Sequence, residues 1–379
     1  MTTYISSSQT YIPEGVIDLG VGDPDFTLLP LEMLHRAAEA CFAQNDTAFL
    51  QYGAELGNGY FLIALAEFLS RGYGFPVDLD TLFVTNGISN ALDLICAHFT
   101  RPGDTILVEE PTYFLALRIF ADHELSIIPI QTDENGLVID ALEEELKEFK
   151  PKFLYSVPTF QNPGGFMLPQ DRRNKLVQKS QEHDFLIVAD EVYQFLNYSG
   201  QQIKPFAAYM DLETVISLGS FSKILAPGLR LGWLQAHPNN IKRLTSSGLL
   251  DSGGGLNPFT SAIVRELIEA GDLEKNIVHL VSTYHARLKA MDAALRREIP
   301  QAEFNTPQGG FFFWLRLPGI DGEQLREKAR EFNIGFRQGT LFSSKNGMQE
   351  YVRLCYTFYD EDKIKKGLQR LKQCLDAFS

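Results

Sequence analysis

Lys223 lies in a turn of small residues that follows the apolar run VISL (215–218). Most loop lysines are simply solvated, and Lys223 is open to that interpretation. Its neighbours favour another one, because Ser220, Ser222 and Arg230 are the donors that a phosphate group requires, the arginine with a planar fork. A lysine amine beside a phosphate site is placed to form a Schiff base with a carbonyl cofactor.

Asp190 closes the buried run FLIVAD, and Tyr193 follows three residues later. A carboxylate in this place is commonly a helix cap or a turn residue, and Tyr193 could belong to the core. Alternatively, Asp190 faces a cationic ring nitrogen and keeps it protonated, while Tyr193 donates a hydrogen bond to an oxygen of that ring. Asn162, in the turn sequence QNPGG, could donate to the same oxygen or belong to a plain loop.

Gly87, Ile88 and Ser89 open a predicted helix over 88–99. The free N–H groups of a helix start can bind an anion, although every helix begins with such groups. Tyr113 follows a proline and could stack on a flat cofactor, although aromatic residues are common in this chain.

Arg353 lies in the predicted strand YVRLCYTF (351–358), where period two places it on the same face as Tyr351 and Cys355. An arginine on an edge strand often faces water. The alternative is a bidentate clamp on a substrate carboxylate.

The elements that must position these residues alternate between short apolar runs and amphipathic helices over residues 80–236. Strands that are apolar throughout and alternate with helices predict a mostly parallel sheet with both faces covered. Polar turns follow the strands, and ligands bind at the carboxyl ends of strands in such sheets. The seven predicted strands are 82–85, 105–109, 125–130, 153–157, 185–189, 215–218 and 231–236, the last of them antiparallel, and the helices between them are 88–99, 113–121, 140–149 and 170–183.

The chain changes character after residue 258 and reads as a separate α+β unit. A strand (17–22) and a helix (30–43) near the start could pair with either unit. The elements predicted after residue 258 are a long helical region (259–298), a strand (309–317), a helix (321–332), a strand (351–358) and a terminal helix (360–377).

Composition excludes several classes of protein. The chain has 379 residues, 45% of them hydrophobic, which is enough for a sizeable core. Its net charge of −14 argues against nucleic acid or an anionic membrane as a partner. Four dispersed cysteines without a CxxC pair predict neither a disulfide framework nor a metal site. The first fifteen residues do not resemble a signal peptide, and no run is long enough to span a bilayer, so a cytoplasmic protein is expected.

The motifs SFSKILAPGLRLGW, QNPGG and ADEVY, in this order and spacing, resemble those of the class I/II aminotransferase family, which are fold-type I enzymes dependent on pyridoxal 5′-phosphate. The resemblance runs from GVGDPDF (20–26) to YVRLCYTF and covers nearly the whole chain. It implies an α/β fold whose mostly parallel seven-stranded sheet is covered on both faces, with a smaller α+β domain from both chain ends. We therefore expect a large domain over 45–285 and a small one over 1–44 and 286–379.

The resemblance also implies roles for the residues above. Lys223 would carry pyridoxal phosphate as a Schiff base and act as the base of the proton shift, and Asp190 would pair with the pyridine nitrogen. Tyr193 and Asn162 would bind the phenolic oxygen, and Tyr113 would stack on the ring. The family pattern implies a homodimer in which one tyrosine crosses to the partner's phosphate. The phosphate ligands would be Gly87, Ile88, Ser89, Ser220, Ser222, Arg230 and that tyrosine, Tyr52.

For the substrate, the resemblance implies that Arg353 grips the α-carboxylate, together with Asn162 and backbone near Gly22. The expected reaction moves an amino group from an L-amino acid to a 2-oxo acid. One alternative is a lyase or cyclase on the same scaffold, since the outcome depends on which bond stands perpendicular to the ring. Another is the cofactor-sensing module of a transcription regulator, disfavoured by the acidic charge and by a family pattern that begins by residue 17.

Two departures from the family pattern stand out. Relatives that bind dicarboxylates have an arginine shortly before an Asn-Pro pair, whereas residues 250–256, before Asn257 and Pro258, contain none. A dicarboxylate preference through that contact is therefore not expected, and the glycines there could leave a side-chain pocket that is roomier or more mobile. Gln338 stands where many relatives have proline, with no consequence that the sequence reveals.

Overall fold

A computed structural model describes residues 8–201 and 203–378, so the first seven residues of the predicted small domain lie outside the described residues. The strands in chain order are β1 (Ile17–Asp18), β2 (Leu82–Thr85), β3 (Thr105–Glu110), β4 (Ser126–Asp133), β5 (Gly136–Leu137), β6 (Phe153–Ser156), β7 (Leu186–Asp190), β8 (Val215–Ser220), β9 (Gly232–Ala236), β10 (Phe312–Arg316), β11 (Ile334–Gly335), β12 (Arg337–Gln338) and β13 (Tyr351–Cys355).

The α-helices follow the apolar periodicity of the sequence and begin and end at recognisable signals. Asn58 caps one of them by accepting a hydrogen bond from Phe61 N (3.1 Å), and that helix ends before Gly74 at φ 76°. The helices are α1 (Leu31–Ala43), α2 (Gly59–Tyr73), α3 (Ile88–Phe99), α4 (Phe114–Asp122), α5 (Ile139–Glu148), α6 (Gln170–His183), α7 (Pro238–Thr245), α8 (Gly248–Gly253), α9 (Pro258–Glu269), α10 (Asp272–Glu298), α11 (Gly322–Ala329) and α12 (Glu361–Asp376).

Within the described residues the large sheet has eight strands, in the order β2-β9-β8-β7-β6-β3-β4-β5. The five strands from β8 to β4 are parallel to one another, and β9 runs antiparallel to both β8 and β2. The mostly parallel sheet and the antiparallel last run are therefore confirmed. The predicted number of seven strands is wrong, because β5 is a two-residue strand that pairs back onto β4, too short to show a hydrophobic pattern.

Both faces of this sheet are buried, as the apolar runs predict. Alternate residues of β3 enter different cores, since Ile106 and Val108 pack in one cluster and Leu107 in the other. Helices α3 and α4 cover the first face, and α5 and α6 cover the second. Period two places Tyr155 of β6 on the first face together with Val188 of β7.

The long helical region predicted over 259–298 is two helices. Gly271, with φ 68°, separates α9 from α10. A left-handed residue breaks the i→i−4 ladder, and glycine occupies that conformation without steric cost. The apolar periodicity continues on both sides of the break, which is why the pattern alone merges them.

The smaller domain is built from the two ends of the chain. Strands β10, β13 and β12 form an antiparallel sheet, and β1 pairs in parallel with β11. Three predicted strands are shorter than expected, since 17–22 is reduced to β1, 309–317 to β10 and 351–358 to β13. Helix α1 packs against α9 through Cys41 and Ala262.

Among the described residues, no helix combines the length and the apolar character that crossing a membrane requires.

Candidate active site

Lys223 lies three residues beyond β8, and its side chain reaches back to the chain's N-terminal segment. Its Nζ donates a hydrogen bond to the carbonyl oxygen of Gly22 (2.9 Å) and lies 5.3 Å from the ring centroid of Phe311. Burial lowers the pKa of the Lys223 amine, and the nearby Asp23 carboxylate opposes that shift. A lowered pKa favours the neutral amine, which is the nucleophilic form.

Asp190 is the last residue of β7 and is almost completely buried. Its Oδ2 accepts a hydrogen bond from the hydroxyl of Tyr155 (2.9 Å), and its Oδ1 accepts one from the N–H of Val192 (3.3 Å). Burial raises the pKa of Asp190 to about 6, although the positive charge of Lys223 lowers it. A cation placed against this carboxylate would stabilise its ionised form.

Two tyrosines lie near these charged groups. Tyr193 is buried and packs edge-to-face on Phe312, with ring centroids 6.0 Å apart. Burial holds the pKa of Tyr193 well above its usual range. Burial also raises the pKa of Tyr113 to about 12, reinforced by the negative charge of Asp190. Both phenols therefore keep their protons at neutral pH and can donate hydrogen bonds.

The start of α3 and the turn after β8 lie close together, and we call this pair of segments the anion cradle after the phosphate-binding role predicted for it. Gly87 adopts φ 85° and precedes α3, whose first turn is capped by no described side chain. A Cβ on Gly87 would lie 3.0 Å from Nη2 of Arg230, and that nitrogen donates to Asn86 O at 3.0 Å. The hydroxyl of Ser220 donates to that of Ser222 (2.9 Å).

The remaining predicted phosphate ligands belong to the same helix start. Ile88 is half-buried and Ser89 is exposed, and together they form the first two residues of α3. Their N–H groups point out of the helix start because no earlier carbonyl of the helix is available to them. Unpaired N–H groups, hydroxyls and a guanidinium are the donor set that binds a phosphate.

Arg353 is buried rather than solvent-exposed. Its Nη1 donates to Asn162 Oδ1 (2.9 Å), its Nη2 donates to Gly20 O (2.8 Å), and its guanidinium lies 4.0 Å from the ring centroid of Phe312. Burial lowers the pKa of Arg353 to about 10. A Cβ on Gly22 would lie 3.4 Å from Nη2 of Arg353, so the glycine permits this close approach. The water-facing interpretation of Arg353 is excluded.

Tyr52, the tyrosine predicted to reach a partner's phosphate, has a largely exposed side chain. It precedes α2, is 81% exposed, and lines a surface hollow with Phe49 and Tyr60. Its side chain is therefore available to a second molecule.

Several residues of the site were not predicted. Tyr155 binds Asp190 from inside a strand, and its one sequence signal is a hydroxyl within an apolar run. Thr85, at the end of β2, has a buried hydroxyl that no residue within 8–201 or 203–378 binds, and it lies 3.1 Å from the Cβ position that a side chain at Gly232 would have. Phe311 lies near Lys223 and Phe312 lies near Arg353. These contacts depend on how distant parts of the chain pack, so no local sequence pattern reveals them.

Two of the glycines before Asn257, Gly254 and Gly255, pack against the backbone of residues 53 and 54, whereas Gly253 has open space around its Cβ position. A Cβ on Gly255 would lie 1.6 Å from Ala54 O, and Gly255 forms an antiparallel bridge with Gly53. The backbone of this segment therefore packs directly on the segment that carries Tyr52. Gln338 lies in β12 and is buried, and its Oε1 has no hydrogen-bond partner in the part of the chain that the structure describes.

The donor set fits pyridoxal phosphate. The cradle offers donors for a phosphate, Asp190 offers a carboxylate for a ring nitrogen, and Lys223 offers an amine for an aldehyde. The buried Thr85 hydroxyl and Arg353 Nε are two further polar atoms for which the described residues supply no hydrogen-bond partner. Buried polar atoms normally have partners, so both are available to bound molecules.

The chain matches the family model described as aminotransferase class I and II over residues 14–371. It is 36% identical over 369 residues to aromatic-amino-acid aminotransferase 1 of Thermococcus litoralis, an alignment that covers 95% of this chain and 88% of that protein. The crystal structure of multiple substrate aminotransferase from Thermococcus profundus has a TM-score of 0.91 and 35% identity, covering 96% of this chain and 92% of that one.

A second similar structure carries a ligand. LysN, α-aminoadipate aminotransferase from Thermus thermophilus, complexed with N-(5′-phosphopyridoxyl)-L-leucine, has a TM-score of 0.87 and 30% identity, covering 96% of this chain and 93% of that one. The family and this neighbour imply dependence on pyridoxal phosphate. The reaction is the transfer of an amino group from an L-amino acid to a 2-oxo acid, and the lyase alternative is not favoured. The chain belongs to the aminotransferase class I and II family.

Proposed function

We propose that Lys223 is the Schiff-base lysine of this aminotransferase and the base that moves the proton between the α carbon of the amino acid and the cofactor. The observation that supports the proposal is the location of the Lys223 amine, which is buried near Asp190 at the carboxyl edge of the sheet. Burial also lowers the pKa of this amine from its ordinary value, and an amine of lower pKa is more readily neutral and able to accept a proton.

When bound, pyridoxal phosphate supplies a ring that withdraws electrons from the bond breaking at the α carbon of the amino acid. Asp190 would hold the ring nitrogen protonated, and Tyr193 and Asn162 would donate hydrogen bonds to the phenolic oxygen. Tyr113 would cover one face of the ring. The amide of Asn162 is suited to this, because its oxygen already accepts from Arg353 and its NH₂ remains a donor.

Phosphate binding would come from both subunits of a homodimer. Within one protomer, the ligands are the anion cradle described above, formed by Gly87, Ile88, Ser89, Ser220, Ser222 and Arg230. Tyr52 would reach the phosphate bound by the partner protomer, and its 81% exposure supports this role. Large apolar side chains, Leu50 and Tyr60 among them, are exposed near Tyr52, and such patches mark interfaces.

For the substrate, we propose an aromatic L-amino acid as the first donor to test. Arg353 would bind the α-carboxylate through its fork, next to Gly22 and Asn162. The rings of Phe312 and Phe342 lie 4.0 and 5.0 Å from this guanidinium, and a similar protein is named an aromatic-amino-acid aminotransferase. The absence of an arginine from residues 250–256 gives no support to a dicarboxylate.

The test is absorbance spectroscopy of the protein loaded with pyridoxal phosphate. A panel of amino acids is added, and the matching donor should abolish the yellow band, which a 2-oxo acid then restores. Lys223→Ala should prevent borohydride from attaching the cofactor and should abolish turnover, whereas Lys204→Ala, at an exposed lysine, should do neither. Full turnover by Lys223→Ala would refute the proposal, and ammonia release without an acceptor would favour the lyase alternative.

We also propose the domain boundaries and the location. The pairing of β1 with β11 supports a small domain over 1–44 and 286–379 beside a large domain over 45–285. The cysteines Cys41, Cys96, Cys355 and Cys374 are free thiols, which supports a reducing compartment such as the cytoplasm.

A further inference from the structure

Glu109, the penultimate residue of β3, is a fully buried carboxylate that the proposed chemistry does not use. It accepts hydrogen bonds from the Ser156 hydroxyl, from Val157 N (3.2 Å) and from Gln161 Nε2 (3.1 Å). All three donors belong to β6 or to the segment 157–166 that follows it. The carboxylate therefore fixes that segment against β3.

Gln161 joins segment 157–166 to the turn that contains Pro111. Its Nε2 donates to Pro111 O (2.7 Å) as well as to Glu109, and its Oε1 accepts from Gly164 N (2.6 Å). The side chain has no exposed surface. Because its amide hydrogens and its oxygen are all engaged, Gln161 has one orientation that satisfies every neighbour.

The two joined segments carry residues of the active site. Asn162 follows Gln161 directly and accepts a hydrogen bond from Arg353. Tyr113 lies two residues beyond Pro111, whose carbonyl Gln161 binds. A rotation of the Gln161 side chain would thus displace Asn162 and Tyr113 together.

We propose that Glu109 and Gln161 form a positioning pair that holds Asn162 and Tyr113 in place, and through Asn162 orients Arg353 toward the substrate carboxylate. The inference rests on the proposed roles of Asn162 and Arg353. Neither Glu109 nor Gln161 touches the substrate, so both are positioning residues.

The principal variant is Gln161→Glu, which keeps the shape but replaces the donor to Glu109 and Pro111 by an acceptor. We expect the KM for the amino donor to rise about tenfold, with a smaller change in kcat. A tenfold rise in KM corresponds to about 1.4 kcal/mol of binding free energy. Gln178→Glu is the matched control, because Gln178 donates to Glu182 on the exposed face of α6. It should leave KM unchanged.

Two further readouts separate positioning from general destabilisation. In the apoprotein, amide hydrogens of residues 157–166 should exchange faster in Gln161→Glu than in the wild type or in Gln178→Glu. In the loaded protein, the pH midpoint of the cofactor absorbance should shift, because Asn162 would no longer face the phenolic oxygen correctly. A loss of fold alone would lower the unfolding temperature without moving the midpoint or KM.

Glu109→Gln changes the other residue of the positioning pair and is measured in the same way. It replaces Gln161→Glu as the test if that variant does not fold. A folded variant whose KM, absorbance midpoint and exchange rates all equal those of the wild type would overturn the inference. A wild-type protein that fails to bind pyridoxal phosphate would instead refute the proposed function, so the two failures are distinguishable.

Discussion

The two central ionisable groups are shifted in opposite directions by the same cause. Burial disfavours charge, so it lowers the pKa of the Lys223 amine and raises the pKa of the Asp190 carboxylate to about 6. Each group is therefore held away from its preferred charge state in the apoprotein. A cofactor with an aldehyde and a protonatable ring nitrogen would relieve both costs, and cofactor binding should stabilise the fold.

Asp190→Asn should stabilise the apoprotein at pH 7.5, because it removes a buried charge. The pKa of Asp190 is raised from 3.8 to about 6, so ionisation costs stability above about pH 6, and the cost disappears as pH falls toward 4. The gain should be about 1 to 3 kcal/mol at pH 7.5 and should shrink by pH 4.5. Denaturant unfolding of both apoproteins across this range measures it. A difference that does not change with pH would contradict the expectation, and in the loaded enzyme the same variant should lose activity.

Arg353→Lys should weaken substrate binding despite keeping the positive charge. A lysine cannot present the planar fork, and it leaves either Asn162 Oδ1 or Gly20 O without its donor. The KM for the amino donor should rise about 10- to 100-fold, with a smaller change in kcat. Steady-state kinetics measure both. Arg316→Lys, on β10 and bound to Glu303 and Glu350, is the control, and an equal effect there would argue against the clamp.

The sequence was sufficient to single out several residues of the candidate site, but it did not reveal which side chains bind them. Lys223, Asp190 and Arg353 could be singled out from their position at strand ends or on a strand face. The Tyr155 bond to Asp190 could not, since it depends on the register between β6 and β7. Glu109 gave no signal either, because a carboxylate near a strand end is usually a surface residue.

At the scale of elements, the sheet order decides which turns meet. β8 lies beside β7, and the register pairs Asp190 with Leu218. Lys223 therefore emerges next to Asp190, as the rule for strand ends in open sheets predicts. The periodicity predicted α3 and α6 to the residue, whereas it missed β5 and the break at Gly271. Local geometry, not hydrophobic patterning, defines both of those features.

The start of α3 gives an element-scale prediction. Gly87→Ala should weaken binding of pyridoxal phosphate about tenfold, because its Cβ would lie 3.0 Å from Arg230 Nη2 and displace the guanidinium. Gly74→Ala is the control, since Gly74 also has positive φ but, apart from its chain neighbours, no described residue has an atom within 4 Å of its Cβ position. Both variants should lose about 1 kcal/mol of stability to backbone strain. Fluorescence titration should show weaker cofactor binding in Gly87→Ala alone, and equal affinities would contradict the cradle.

At the scale of the whole molecule, one part of the surface carries several large apolar side chains that are exposed. The exposed side chains of Phe42, Leu50, Tyr52, Tyr60 and Phe259 form what we call the apolar face. Phe42 and Phe259 both contact the ring of Phe49, at centroid distances of 5.9 and 5.8 Å. The face thus joins α1, α2 and α9 around Tyr52, which the proposed dimer places at the partner's phosphate.

Leu50→Arg should dissociate the proposed dimer. Leu50 is 63% exposed, so in a monomer the substitution would change stability by less than about 0.5 kcal/mol, whereas in an interface it would bury an unpaired charge. We expect monomers in analytical ultracentrifugation, together with weaker cofactor binding, because Tyr52 would no longer reach the second phosphate. Val278→Arg, at a 69% exposed apolar residue on α10, should remain dimeric. A Leu50→Arg protein that stays dimeric and binds the cofactor normally would show that the subunits meet elsewhere.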